Sequence, residues 1–149
     1  MKKGEMLAKM IQTAASSHDG QFDKSGAPYI LHPLKVMHYC KTEDEEIQCI
    51  ALGHDLIEDT PVTAEWMLNS GFSDRVVNGI LALTKKKGQT YDEYKAQVKA
   101  NPDAVKVKMA DLRHNSDIRR IKGVTDKDIS RTVKYMNFYT ELKGLNNVY

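Results

Sequence analysis

Apolar residues recur along nearly the whole chain at steps of three and four, the period of a helix with one buried face. Met6, Met10, Ile11 and Ala14 predict a first helix over about residues 4–17. The stretch SHDGQFDKSGAPY (17–29) is polar and holds glycines and a proline, which predicts a loop. Pro33 suits a first helical turn, and Leu34, Met37 and Cys40 follow it at helical steps. Thr42 and Glu45 have the T-x-x-E spacing of a capping box and predict the start of the next helix. Its stripe is Ile47, Ile50, Ala51, His54 and Ile57. Pro61 disfavours helical geometry at Thr60 and predicts an end near Asp59. Further helices are expected at about 63–70, 73–84 and 91–98, with a basic turn, TKKKGQ (84–89), before the last. Asn101, Pro102 and Asp103 supply a cap, a first-turn proline and an acidic first turn, and Val105, Met109 and Leu112 form the stripe behind them. A final helix is expected over about 125–142 with Ile129, Val133, Met136 and Leu142 inward. No segment alternates as a strand does, so the expected fold is an all-α bundle.

The length of 149 residues adds the expectation of a single domain over 1–149. Hydrophobic residues at 41% and charged residues at 28% place the chain among globular proteins. The net charge of +2 on 22 basic and 20 acidic residues argues against nonspecific binding to nucleic acid or to an anionic membrane. Cys40 and Cys49 form no CxxC pair and read as reduced thiols. Glu5, Lys9 and Gln12 break the apolar run that a signal peptide needs, and no run has the length of a membrane span, so the expected location is cytoplasmic. The oligomeric state is left open.

Candidate chemistry concentrates in ALGHDLIEDT (51–60). His54 lies on the apolar stripe, Asp55 follows it, and Glu58 and Asp59 stand one turn further on. The acids fall at a helix C-terminal end, where the dipole disfavours negative charge, and a bound cation would relieve them. The other histidines are His18, His32, His38 and His114. His32 stands before Pro33 at a helix entrance, and VKMADLRHN (107–115) places Asp111, His114 and Asn115 on one face. A mixed imidazole and carboxylate set with open positions suits Mn²⁺, Fe²⁺ or Zn²⁺, and such an ion makes water acidic near neutral pH. Glu58 is then placed to deprotonate that water, with Asp59 beside it. His18 and His114 read as supports, His38 as structural, and Tyr91 and Tyr94 as packing residues.

Three stretches in order, HDGQ with GAPYILHP, then HDLIEDT, then VKMADLRHN, resemble the successive motifs of the HD superfamily of metal-dependent phosphohydrolases. More narrowly they are similar to the hydrolase domain of RelA/SpoT-type enzymes and the stand-alone small alarmone hydrolases, over about residues 8–145. The resemblance implies an HD-type bundle, which we take as about six to nine helices. It implies metal ligands at His32, His54, Asp55 and Asp111, manganese as the usual ion, and a water-activating acid pair at Glu58 and Asp59. Asn115, Lys24 and, from RTVKY (131–135), Tyr135 match substrate contacts. The implied reaction removes the 3′-pyrophosphate of ppGpp or pppGpp to give GDP or GTP and pyrophosphate. Departing pyrophosphate carries charge that Lys24, Arg113 or the Lys85–Lys87 turn would offset, although a solvated turn is the plainer reading of the lysines.

Two departures bear on the substrate. Family members often carry arginine, stacked on guanine, where this chain has Asp23, and an acid there neither stacks as a cation nor attracts phosphate. ADLRHN also inverts the more usual ADRLHN, which turns Arg113 away from the family direction. The expectation is therefore a guanosine-polyphosphate hydrolase that at most degrades alarmones, since no synthetase segment follows. It would serve as antidote where an alarmone-type synthetase acts as a toxin. The alternatives are an HD-type hydrolase of another nucleotide and a non-catalytic nucleotide-binding module.

Overall fold

The computed structural model describes residues 1–146; the last positions of the expected one-domain span, 147–149, lie outside them. Among the described residues the regular structure is helical: α1 Glu5–Ser17, α2 Leu31–Cys40, α3 Glu45–Gly53, α4 Leu56–Asp59, α5 Ala64–Asn69, α6 Asp74–Ala82, α7 Tyr91–Lys99, α8 Pro102–Asn115 and α9 Asp126–Asn146, with a 3₁₀ turn at Ile118–Arg120. The one strand-like feature is an isolated antiparallel bridge from Phe22 to Pro28. No described helix is long and apolar enough to cross a membrane.

The starts of the helices follow from capping chemistry. Thr63, Ser73, Thr90 and Asn101 each accept an N–H from the first turn they precede, satisfying donors that have no partner within the helix. At α3 the expected capping box is corrected. Asp44 is the cap, accepting the N–H groups of Glu46 and Ile47, while Thr42 Oγ1 accepts the Asp44 N–H. A charged carboxylate at the positive end of the helix dipole is the stronger acceptor.

Helix α3 is the central element and packs against α1, α2, α6 and α8. Met10, Ile50, Leu52, Ile80 and Leu112 are fully buried around it. Its crossing with α6 is close because Gly79 lies against Ile50. A Cβ on Gly79 would meet Ile50 Cδ1 and, at 2.8 Å, the less adaptable Cγ1. Helix propensity alone favours Gly79→Ala by about 1 kcal/mol. We expect overpacking to win and the variant to lose about 1–2 kcal/mol in urea unfolding.

Arg75 on α6 ties three helix starts together. It makes a two-pronged bond to Asp103 in the first turn of α8, at 2.8 and 2.9 Å, and reaches Asp44 at 3.0 Å and Glu46 at 3.2 Å. Burial nudges the Asp44 carboxyl up, but Arg75 and the N–H groups of Ile47 and Glu46 outweigh it and hold it below its ordinary 3.8. A lowered folded-state value contributes stability that is present above pH 3.8 and lost as the pH falls through the lowered value. Because the network is half exposed, Arg75→Ala is expected to cost only about 1 kcal/mol at pH 7. That difference should shrink in high salt and below about pH 4, as read by thermal unfolding.

Two sequence expectations are overturned. The helix expected to run through Asp59 breaks after Gly53 and restarts at Leu56. In α9, Ile129, Val133 and Met136 are 45%, 54% and 44% exposed. The inward residues are Phe138 and Leu142, with Tyr135, Tyr139 and Leu145 packed beside them. The helix carries two apolar stripes, and packing against α8 and α7 selects the one with the aromatic rings. Tyr94 is a core residue whose hydroxyl donates to the Leu83 carbonyl at 3.1 Å, as its reading as a packing residue requires. Burial pushes the Cys40 and Cys49 thiols up to about 11 and about 12, which keeps both as unreactive thiols at neutral pH.

Candidate active site

The break in the helix is what builds the site. His54 turns its ring back and donates Nδ1–H to the Ala51 carbonyl at 2.6 Å, occupying one of the acceptors left free at the end of α3. Asp55, at φ −104° and ψ 0°, sits at the edge of the right-handed helical region and caps α4. The side chains of these neighbours, about 100° apart on an unbroken helix, thereby come together, with His54 Nε2 at 3.0 Å from Asp55 Oδ2. Helix α8 brings Asp111 Oδ1 to 3.3 Å from the same nitrogen, and α2 brings His32 Nε2 to 2.9 Å from Asp111 Oδ1 and 3.9 Å from Asp55 Oδ2. His32, His54 and Asp111 are buried, and Asp55 is nearly so.

The donor set fits a divalent cation. Since a carbonyl can only accept, the Ala51 bond takes the Nδ1 proton of His54 and turns Nε2 towards the carboxylates, where it offers a lone pair to an ion or else carries a second proton. That nitrogen is buried, makes no hydrogen bond and faces two carboxylate oxygens. Such a lone pair beside two anions calls for a positive charge among them. Burial disfavours a charged His54 ring, yet Asp55 and Asp111 outweigh it and hold the ring well above the usual imidazole range. The carboxylates therefore claim a cation at this point, and an ion meets the demand as a proton does. Two nitrogens and two carboxylates, with one side partly open at Asp55, match the ligand preferences of Mn²⁺, Fe²⁺ and Zn²⁺.

Neighbouring groups orient these four residues. The Tyr29 hydroxyl donates to Asp55 Oδ2, and burial followed by the Asp55 charge pushes its phenol far above the usual value. Lys108 Nζ donates to Asp111 Oδ2 at 2.8 Å and Asn115 Nδ2 to Asp111 Oδ1 at 3.1 Å. Burial opposes the Asp111 charge, but Lys108 and the two histidines hold its carboxyl well below the usual range. His32 Nδ1 lies 2.7 Å from His114 Nδ1, so one ring donates and the other accepts. Burial, Arg120 and His32 push His114 down to about 4, which keeps it neutral. His18 is buried, holds Gln21 Oε1 at 2.8 Å, and Gln21 Nε2 donates to the Asp59 carbonyl at 3.0 Å. The support roles expected of His18 and His114 have these bonds behind them.

Glu58 and Asp59 are exposed beside Asp55 on α4. Burial of part of its carboxyl is the largest cause of a raised Glu58 value, with the charges of Asp55 and Asp59 adding to it against the Lys85 N–H, which donates to Glu58 Oε1 at 2.6 Å. Burial and then Asp55 raise Asp59 as well. The bond to Lys85 brings the basic turn to the edge of the site.

A cavity of about 340 Å³ opens beside His32 and Tyr29 and is lined by Lys24, Asn115 and Tyr135. These three expected substrate contacts are brought together; Arg113 is not. Its guanidinium lies over the Tyr39 ring, 3.9 Å from the centroid, and lines a different cavity with Met109 and Tyr139. The inverted ADLRHN order sends it there, which corrects its assignment as a substrate contact. Sequence reasoning missed Tyr29, Lys108, Arg131, Arg120 and Phe22. Lys108 stands at i−3 from Asp111, a spacing that could have flagged it, and Arg131 opens the RTVKY motif. Phe22 and Arg120 carry no local signal.

No protein-family model matches the chain. In an alignment 115 positions long that covers 68% of the chain, it is 36% identical to a guanosine-3′,5′-bis(diphosphate) 3′-pyrophosphohydrolase from Haemophilus influenzae. In an alignment 121 positions long that covers 73% of the chain, it is 34% identical to the bifunctional (p)ppGpp synthase/hydrolase SpoT of Escherichia coli. The chain belongs to the RelA/SpoT-type family of HD hydrolase domains. It spans 17% of the length of each of these two relatives. The fold of this RelA/SpoT-type domain matches a solved metazoan SpoT ortholog, described as hydrolysing ppGpp and acting in starvation responses, with a TM-score of 0.78 and 24% identity over 98% of this chain and 90% of that one.

Proposed function

We propose that this RelA/SpoT-type domain is a metal-dependent hydrolase that removes the 3′-pyrophosphate of guanosine tetra- or pentaphosphate, giving GDP or GTP and pyrophosphate. The observation that carries the reading is the buried, unpaired His54 Nε2 facing Asp55 and Asp111, with an acid pair on one side and a basic, aromatic-lined cavity on the other. The activities named for the relatives agree with it.

His32, His54, Asp55 and Asp111 would hold the ion, and manganese is the ion we favour. A divalent cation there supplies Lewis acidity, making water a better nucleophile and offsetting phosphate charge. Glu58 accepts the proton of the attacking water, and Asp59 orients that water. The water's hydroxyl ends on the pyrophosphate, the bond from phosphorus to the ribose 3′-oxygen breaks, and a proton ends on that oxygen. Lys24 and the turn at Lys85 offset the charge of the pyrophosphate, while Asn115, Arg131 and Tyr135 hold the nucleoside part. A nucleotide substrate and two thiols held as unreactive agree with a cytoplasmic setting.

The reason for preferring another nucleotide weakens once Asp23 is located. Its carboxylate accepts the N–H groups of Ser25 and Ala27, both at 2.9 Å, and pairs with Arg120 at 3.4 Å. It is therefore engaged rather than free to repel phosphate. Incubating the chain with ppGpp and Mn²⁺ should release GDP and pyrophosphate, and chelation should stop it. Turnover of other nucleotides but not ppGpp, or none at all by metal-loaded protein, would overturn the reading.

A further inference from the structure

The lining of the 340 Å³ cavity divides by chemistry. His32, Tyr29 and Asn115 are tied to the metal cluster through Asp111 or Asp55. Phe22, Ile121 and Arg120 make no bond to the four residues of the cluster itself. Phe22 is 65% exposed at the cavity, in a loop held by a backbone bridge to Pro28. Arg120 is held by two acceptors from distant parts of the chain: Asp23 Oδ2 at 3.4 Å in the first loop and the His114 carbonyl at 2.9 Å at the end of α8. Ser25 Oγ donates to the Arg120 carbonyl, so the loop grips both ends of the residue. Asp23 and Arg120 also line a second cavity, of about 390 Å³, and thus form the wall between the two.

We propose that Arg120, fixed in this wall by Asp23 and the His114 carbonyl, is the platform on which the substrate's purine base stacks, with Phe22 covering the same base. The inference rests on the reading of the cavity as a nucleotide site. A phosphate is the weaker candidate for this guanidinium, because Asp23 already offsets its charge. A planar cation that is paired at its edge still offers its face to a π system. Asp23 thus recruits a cation from elsewhere in the chain rather than leaving the base wall acidic. The flat guanidinium and the phenyl ring together suit an aromatic bicycle.

The test is calorimetric titration of GDP and, separately, inorganic pyrophosphate into Mn²⁺-loaded protein. Arg120→Ala should weaken GDP roughly 5- to 30-fold, the loss of one partly desolvated cation–π contact, and leave pyrophosphate within about twofold. Arg120→Lys, which keeps a positive charge beside Asp23 without the planar face, should also weaken GDP by at least about fivefold. GDP affinity unchanged in Arg120→Ala, equal losses for GDP and pyrophosphate, or wild-type GDP affinity in Arg120→Lys would each overturn the platform. The outcomes for the two readings separate: GDP binding that depends on Arg120 without ppGpp turnover sinks the hydrolase reading alone. Turnover with Arg120-independent GDP binding sinks the platform alone.

Discussion

Asp55→Ala should lose bound metal and activity together while the helical fold persists. Asp55 is the proposed ligand whose removal isolates the metal role best. Asp111 pairs with the partly buried Lys108 and is itself buried, so deleting it would leave that ammonium unpaired and disturb the fold as well as the site. Asp55 instead has some contact with solvent, and its loss frees only the Tyr29 hydroxyl and the approach to His54. Loss of an outer hydrogen-bonding partner typically costs roughly 10–100-fold in metal affinity, so loss of a ligand should exceed about 100-fold. Titration with Mn²⁺ followed by calorimetry measures it, and circular dichroism checks the fold. Wild-type affinity for Mn²⁺ in this variant would remove Asp55 from the ligand set.

Glu58→Gln should do the opposite: metal binding stays and turnover falls by about 10²–10⁴-fold, the usual contribution of a general base. Glutamine suits the test because its amide oxygen can still accept the Lys85 N–H. The basic turn therefore keeps its anchor, and only proton acceptance is removed. The loss should lie in kcat, with KM for ppGpp little changed. A fully active Glu58→Gln would shift the role to Asp59, the other acid beside Asp55.

The two variants separate because the proposed ligand and the proposed base are distinct groups, and the sequence assigns them to different residues. Local signals carried much of the rest. The cap at Asn101 acts within one turn and is legible in the sequence, and Thr63, Ser73 and Thr90 cap the helices expected from about 63, 73 and 91. The motif spacing that pointed to His32, His54, Asp55 and Asp111 matches residues that the structure brings within a few ångströms of one another. What stayed hidden is non-local. The stripe from Ile47 to Ile57 runs at an unbroken helical period, and nothing in it reveals that the His54 side chain will take the Ala51 carbonyl and end the helix. Two apolar stripes on α9 are equivalent until Phe138 meets Tyr91. Asp23 looked like an isolated repulsive charge because its partner, Arg120, lies nearly a hundred positions away. Gly79 gave no hint that Ile50 would press against it.

The bond from His54 to the Ala51 carbonyl has a consequence for how this site can change over generations. One imidazole both closes a helix and presents an electron pair, so drift at this position is penalised twice, by folding and by reactivity. Relatives that abandon catalysis would still be under pressure to keep a ring there. Retention of this histidine in a descendant is then weak testimony that the descendant is an enzyme, and Glu58, the proposed base, which closes no helix, is the better witness.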